Sequence, residues 1–382
     1  MTVEPCQLIE VSGPPRERGR QYGAAASARI RKGVAHYSAQ LRASGLDTPG
    51  VRRLVDKFMP RIAAFDTTYA EEFHGIAEGA GVDLADIALL NARTEILKLA
   101  KRPEFLAAEA GNDACTGLVA LPSATASGTL LHAQNWDWKK ECAETAVVLK
   151  ILRDDGPDIL TFTEAGGLAR SGLNSAGICI TANYLQSDRD YRELGVPLAL
   201  IRRKVLEQEM LAMAMHAVYV TPKSGSNNMM VSGTRAGSPQ ADGVAIDFEC
   251  APDETFQVHP ENGLLVHANH WVSPVALAKL VDTGVKETPC SLYRDLRVRQ
   301  LLAPQIGRIT RDAIKAALFD DFASPWSVCR PPRANLRSEL SATVAMVVME
   351  PGAGEMEVAM LPALNRQFVT YRLDQARLVK AA

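Results

Sequence analysis

No long apolar run occurs in this 382-residue chain. Its hydrophobic stretches are broken by charge within about a dozen positions, short of the ~20 that a membrane helix needs. The first residues, Met1-Thr2-Val3-Glu4-Pro5-Cys6-Gln7, lack the basic and apolar regions of a signal peptide. Charge bias is missing as well. A formal net charge of −2, with no basic run interleaved with aromatics, gives no electrostatic reason to expect nucleic acid or an anionic membrane. Paired cysteines are also lacking. Seven are scattered (Cys6, Cys115, Cys142, Cys179, Cys250, Cys290, Cys329) without a CxxC, which argues against a disulfide framework and a zinc site. These absences lead to the expectation of a reduced, cytoplasmic protein that needs no metal or other cofactor.

What is present is an ordinary globular composition, 47% hydrophobic and 23% charged. The length allows two domains or one large layered domain. The first hundred residues read as helices: 16–41 is rich in Ala and Arg, and 51–79 and 83–99 continue helically, with Asp83 and Asp86 as caps. After Cys115 the texture changes to strand-like runs at 117–121, 130–135, 146–152, 158–164, 178–183, 229–231, 244–248 and 264–268. Helical segments are expected at 197–219 and 311–319. The end returns to strands at 342–349, 355–361 and 368–373, with Gly352-Ala353-Gly354 as a hairpin turn. Grouped helices beside runs of strands imply an α+β layered architecture rather than a doubly wound sheet. The stretch 101–111 is the best candidate for an exposed linker.

Cys115 is the most informative residue. It lies in Gly111-Asn112-Asp113-Ala114-Cys115-Thr116, with a small residue before it, a small hydroxyl residue after it and a strand behind. That arrangement is what an internal self-cleaving nucleophile requires, because its thiol must reach the carbonyl of Ala114. Breaking the Ala114–Cys115 bond would leave Cys115 with a free α-amine beside its own thiol, so that one residue supplies base and nucleophile. A cysteine taken alone is more often a small buried hydrophobe.

Further motifs follow in order: Glu71-Glu72-Phe73-His74-Gly75-Ile76-Ala77-Glu78-Gly79-Ala80-Gly81, Leu90-Asn91-Ala92-Arg93-Thr94-Glu95-Ile96, Gln134-Asn135-Trp136-Asp137-Trp138, Gly172-Leu173-Asn174-Ser175-Ala176-Gly177-Ile178 with Asn183, His267-Ala268-Asn269-His270-Trp271, and Ser327-Val328-Cys329-Arg330. Together they resemble the acyl-coenzyme A:6-aminopenicillanic acid acyltransferase (isopenicillin N acyltransferase-like) family of N-terminal-nucleophile hydrolases. The resemblance implies a four-layer αββα sandwich. It also implies self-cleavage into 1–114, a helical α-subunit segment, and 115–382, a β-subunit with the nucleophile and most of both sheets. The two would persist as a heterodimer forming one compact domain. The family's best-known members cut after Gly, whereas here Ala114 precedes the cysteine; it is small enough to permit the attack.

Residue by residue, the resemblance makes Asp137 the catalytic aspartate and Asn269 and Asn183 the oxyanion-hole donors, since a tetrahedral intermediate needs aimed N–H groups. Arg330 is similar to the arginine that approaches the nucleophile, where a guanidinium would favour the thiolate or anchor an acidic group. Ser327 would help to place substrate. Trp136, Trp138 and Trp271 flank these residues and could wall an acyl pocket, although core packing is the commoner fate of a tryptophan. His267 and His270 bracket Asn269 without a carboxylate or cysteine at ligand spacing, so packing behind the site is expected rather than metal binding. The expected activity is a cysteine amidohydrolase opening a linear amide of a small molecule through a thioester. The alternatives are an acyltransferase using the same intermediate and a non-catalytic binding protein on the same fold. Further oligomerisation is left open.

Overall fold

The computed structural model describes residues 3–100, 114–236, 242–332 and 341–378. The upstream part contains β1 (Gln7–Ser12), α1 (Pro15–Ala43), α2 (Thr48–Asp56), α3 (Met59–Phe65), α4 (Thr67–Ala80), α5 (Leu84–Asn91) and α6 (Arg93–Leu99). Six strands follow: β2 (Ala114–Ala120), β3 (Leu131–Trp138), β4 (Ala146–Leu152), β5 (Ile159–Glu164), β6 (Ser171–Asn174) and β7 (Ile178–Tyr184). Next come α7 (Leu198–Leu206), α8 (Leu211–Val220), β8 (Asn227–Thr234), β9 (Gly243–Cys250), β10 (Thr255–Val258) and β11 (Leu264–His267). The chain closes with α9 (Pro274–Leu277), α10 (Cys290–Leu302), α11 (Arg311–Leu318), β12 (Ala342–Glu350), β13 (Glu355–Met360), β14 (Val369–Arg372) and α12 (Gln375–Leu378).

The strands form two sheets, ordered β1-β4-β5-β6-β7-β8-β9-β10 and β11-β2-β3-β12-β13-β14. Among the described strands only the β1–β4 pair is parallel; the other pairs are antiparallel. The sheets stack face to face through a polar staple. His132 of β3 bonds Ser232 of β8 through Nδ1 and Thr181 of β7 through Nε2, each at 2.8 Å. Burial drives this imidazole down to about 3, so it crosses the interface uncharged. Outside the first sheet lie the upstream helices with α7 and α8. Outside the second lie α10 and α11, whose Val298, Leu302, Ile314 and Leu318 pack on Leu118, Val266 and Val348. This is the α+β, four-layer αββα sandwich expected. Strands covered on both faces bury every residue, as β2, β3 and β7 do.

Helix α1 packs on α4 with almost no space between backbones. A Cβ on Gly75 would stand 2.0 Å from the Arg16 carbonyl oxygen, and one on Gly19 2.3 Å from that of Glu72. Only glycine permits that approach.

Several expectations need correction. The upstream part is not purely helical, because β1 adds an edge strand to the first sheet. The helical stretch 51–79 is three helices, broken where Asp66 accepts the Thr68 N–H and caps α4. The stretch 83–99 starts at the expected Asp83/Asp86 capping box but divides at Ala92, and 197–219 divides into α7 and α8. Strands β6 and β10 and helix α10 were not anticipated. The linker 101–111 lies outside the described residues, and among those described no helix is long and apolar enough to cross a membrane.

Candidate active site

Strands β2 and β3 set the centre by register: Cys115 lies opposite Trp136, and Ala114 opposite Asp137. The Ala114–Cys115 bond is thus clamped within an antiparallel ladder, and Cys115 is 1% exposed. Asp137 is fully buried. Its Oδ1 accepts from Thr343 Oγ1 at 2.7 Å, and its Oδ2 lies 3.4 Å from Arg330 Nε. Thr343 is its register partner on β12, and Thr343 Oγ1 also accepts the Arg330 N–H at 2.8 Å. One hydroxyl therefore fixes the aspartate and the backbone of the arginine together.

The Cys115 N–H donates to Asn269 Oδ1 at 2.8 Å, while Asn269 Nδ2 donates to the Tyr184 carbonyl at 2.8 Å. The amide orientation follows from chemistry: Arg294 Nη2 donates to the same Oδ1 at 2.8 Å, and a guanidinium has nothing to accept with. Asn269 therefore turns its oxygen toward the Cys115 nitrogen, unlike the orientation that an oxyanion donor needs. Arg294 also donates through Nη1 to the Cys115 carbonyl at 2.5 Å and to Thr116 Oγ1 at 2.7 Å. Ser291, one turn before it on α10, accepts the Asn269 N–H at 2.7 Å and meets His270 Nδ1 at 2.8 Å. Burial, and then the neighbouring Arg330, hold Arg294 below its ordinary value.

The arginine on the sulfur is Arg170, not Arg330. Arg170 Nη2 lies 3.7 Å from Cys115 Sγ, and its guanidinium stacks 4.2 Å over Trp136. Arg330 instead directs Nη2 to Cys290 Sγ at 2.9 Å. A guanidinium beside a sulfur stabilises the thiolate.

Asn183 is buried on β7, accepts from Gln134 Nε2 at 2.7 Å and donates Nδ2 to the His267 carbonyl at 2.9 Å. His267 sits behind it, with Nε2 2.7 Å from Glu249 Oε1 and Nδ1 3.1 Å from the Ala268 carbonyl. Both ring nitrogens face acceptors, which suits an imidazolium. Burial opposes that charge, but Asp247 and Glu249 outweigh it and raise His267 to about 9. Burial and the charge on His267 lower His270 to about 4.

Of the tryptophans, Trp136 lies under Arg170 and against Phe162. Trp138 meets Arg93 and Lys139. Trp271 is placed elsewhere: it packs with Leu185, Phe256 and Leu280 and donates its indole N–H to the Gln186 carbonyl. Ser327 spends its hydroxyl within its own loop, on the Cys329 carbonyl. The structure thus gathers Cys115, Asp137, Asn269, Arg330 and Trp136 and adds Arg170, Arg294, Ser291 and Thr343, which sequence reading missed. A cavity of about 30 Å³ flanks Arg170, lined also by Arg93, Glu95, Glu164 and Arg202. A larger one of about 580 Å³, between Arg189, Tyr219 and Glu254, is lined by none of the residues around Cys115, so volume alone does not locate the chemistry.

The chain is 28% identical over 329 residues, 84% of each protein, to the acyl-coenzyme A:6-aminopenicillanic-acid-acyltransferase 40 kDa form of Emericella nidulans. It is 25% identical over 370 residues to an uncharacterized protein of Archaeoglobus fulgidus, covering 83% of this chain and 58% of that one. Among solved structures, a conjugated bile acid hydrolase from Clostridium perfringens aligns at 14% identity and a TM-score of 0.47, over 68% of this chain and 92% of that one. Penicillin V acylase from Agrobacterium tumefaciens aligns at 13% identity and a TM-score of 0.41, over 68% and 86%. The family model for acyl-coenzyme A:6-aminopenicillanic acid acyl-transferase matches residues 124–360, and the chain belongs to that family.

Proposed function

We propose that this chain is a self-processing cysteine amidohydrolase acting on a linear amide of a small molecule. The observation that carries the reading is the setting of one residue. Cys115 has its nitrogen on Asn269, its sulfur beside Arg170, and the bond before it opposite the buried Asp137. In maturation, Sγ adds to the Ala114 carbonyl, the C–N bond breaks as the Cys115 nitrogen takes a proton, and a thioester forms. Water then hydrolyses the thioester, leaving the Ala114 carboxylate and a free α-amine on Cys115.

In turnover that amine takes the thiol proton as Sγ attacks the substrate amide, and returns it to the leaving amine. Asp137, with Arg330 and Thr343 behind it, fixes the field beside the new N-terminus. Asn183 spends one amide hydrogen on a backbone carbonyl, which sets its amide plane and leaves a second hydrogen for an oxyanion, whereas Asn269 holds the Cys115 nitrogen through Oδ1. The fragments 1–114 and 115–382 would remain one body, since β1 pairs with β4 and α1 packs into the same core as the first sheet. All seven cysteines are free thiols, in keeping with a reducing cytoplasmic location.

Acyl transfer is the second reading, favoured by the name of the Emericella relative. Both readings share the thioester and separate by whether an added amine or thiol acceptor diverts product from hydrolysis. The central test is intact mass and a denaturing gel on wild type and Cys115→Ala. Two fragments meeting at Ala114/Cys115 in the wild type alone, with amidase activity confined to it, are expected. Activity surviving in the alanine variant would sink the assignment.

A further inference from the structure

Arg294 touches the nucleophile without belonging to any motif in the sequence. It sits fully buried on the inner face of α10, one turn after Cys290 and Ser291. Its fork reaches both ends of a single residue. Nη1 holds the Cys115 carbonyl and Thr116 Oγ1, while Nη2 holds Asn269 Oδ1, which in turn holds the Cys115 nitrogen. The backbone of Cys115 is therefore pinned on both sides of its Cα, and the sulfur retains only rotation about its own side-chain bond.

We propose that Arg294 is the positioning residue of this centre, fixing the Cys115 backbone for attack on Ala114 and then keeping the released α-amine in its uncharged, proton-accepting form. The inference rests on the self-processing reading and adds to it a part that no motif supplies. The physical grounds are two. Three acceptors are held by the two terminal nitrogens of one guanidinium, a fork that the point charge of a lysine cannot reproduce. A fixed cation close to an amine disfavours its ammonium form, and close to a thiol favours the thiolate. The three hydrogen bonds of Arg294 go to oxygens of a carbonyl, a hydroxyl and an amide, none of which neutralises it.

The test uses Arg294→Gln and Arg294→Lys in the full chain, with Cys115→Ala as the uncut reference. Processing is timed by denaturing gel and intact mass, and both arginine variants should mature about 100-fold more slowly than wild type. The matured proteins are then alkylated with iodoacetamide across pH, with Cys115 followed on its N-terminal peptide by mass spectrometry. Losing the cation should move the midpoint up by about one pH unit in the glutamine variant. The lysine variant keeps the charge and should keep the midpoint. A purely structural role predicts the same midpoint shift in both variants, or slowing that only tracks a lowered melting temperature; either overturns the assignment. So does maturation at the wild-type rate. If the glutamine variant does not fold, the lysine variant decides: slow processing with an unmoved midpoint supports the proposal, and wild-type processing overturns it. A wild-type chain that never cuts removes the self-processing reading, and the role of Arg294 falls with it.

Discussion

Two regions of this molecule bury arginines, and they treat the charge in opposite ways. Between α1, α4 and α7, Arg18 and Arg203 share Glu72 at 2.8 and 3.0 Å, and Arg203 reaches Glu207 at 2.9 Å. Tyr69 donates to the other oxygen of Glu207 at 2.8 Å. Two guanidinium groups thus meet two carboxylates. Around Cys115, Arg294 meets neutral oxygens, and Arg330 divides itself between Asp137 and the Cys290 sulfur. The titration directions follow. Burial works against both cations, but Glu72 and Glu207 outweigh it and hold Arg203 above its ordinary value, whereas Arg294 falls below. Balanced charge fastens a scaffold; unbalanced cation supplies a field to a nucleophile, an amine or an oxyanion.

The sharpest way to break that comparison is Glu72→Gln. It leaves Arg18 and Arg203 buried without their shared carboxylate, a loss worth about 3–5 kcal/mol. Denaturant unfolding should show that drop, while protein that remains folded still cuts at Cys115. Loss of processing without loss of stability would mean that the α1–α4 cluster also serves the chemistry. The reciprocal substitution is Asp137→Asn, whose side chain keeps its size and its Thr343 contact. Processing and turnover should fall by about 100-fold or more, with a smaller change in unfolding free energy than Glu72→Gln produces. The reverse ranking would erase the distinction between the two regions.

How much of this was legible beforehand divides along the same line. The layered architecture and the strands flanking Cys115 lie in local patterns, short runs of small and apolar residues and turn signals, whereas the proposal of Cys115 as nucleophile leans on the ordered motifs along the rest of the chain. Asp137, Asn269 and Arg330 lie in motifs, and the fold gathers them. Helix α10 escaped because its pattern is inverted. Its first two turns bury Ser291, Arg294 and Asp295 and expose Leu292 and Leu296, since there the inner face lies on the site, and only Val298 and Leu302 further along join a core. Apolar periodicity cannot reveal such a helix, so Arg294 and Ser291 were lost with it. Arg170 escaped for another reason: its value depends on stacking over Trp136, a contact between the segment that precedes β6 and a strand of the other sheet. Ser327 and Trp271 lie beside motif residues in the chain, yet their side chains turn to a loop carbonyl and an apolar cluster. Neighbourhood in sequence did not become neighbourhood in space.

The smallest expected effect concerns a third cluster, His267 with Glu249 and Asp247, which is balanced like the scaffold yet adjoins the site through Ala268 and Asn269. Glu249 accepts from His267 Nε2 and also from the backbone N–H groups of Val272 and Ser273, so it ties the segment bearing Asn269 to β9. His267 is raised to about 9 in the fold, against about 6.5 for an unfolded histidine. A raised value means that its stabilisation is complete below about pH 6.5 and is lost as pH climbs through about 9, with a slope of at most ~1.4 kcal/mol per pH unit. Burial raises Asp247 to about 6, which places its own loss of stability at lower pH, between about 3.8 and 6. Unfolding midpoints measured from pH 6 to 9.5 should therefore decline in the wild type and flatten in His267→Gln. An unchanged slope in that variant would show that His267 is not the group titrating there. The cluster's charge would then be held by the carboxylates alone, and it would stand with the unbalanced region rather than the balanced one.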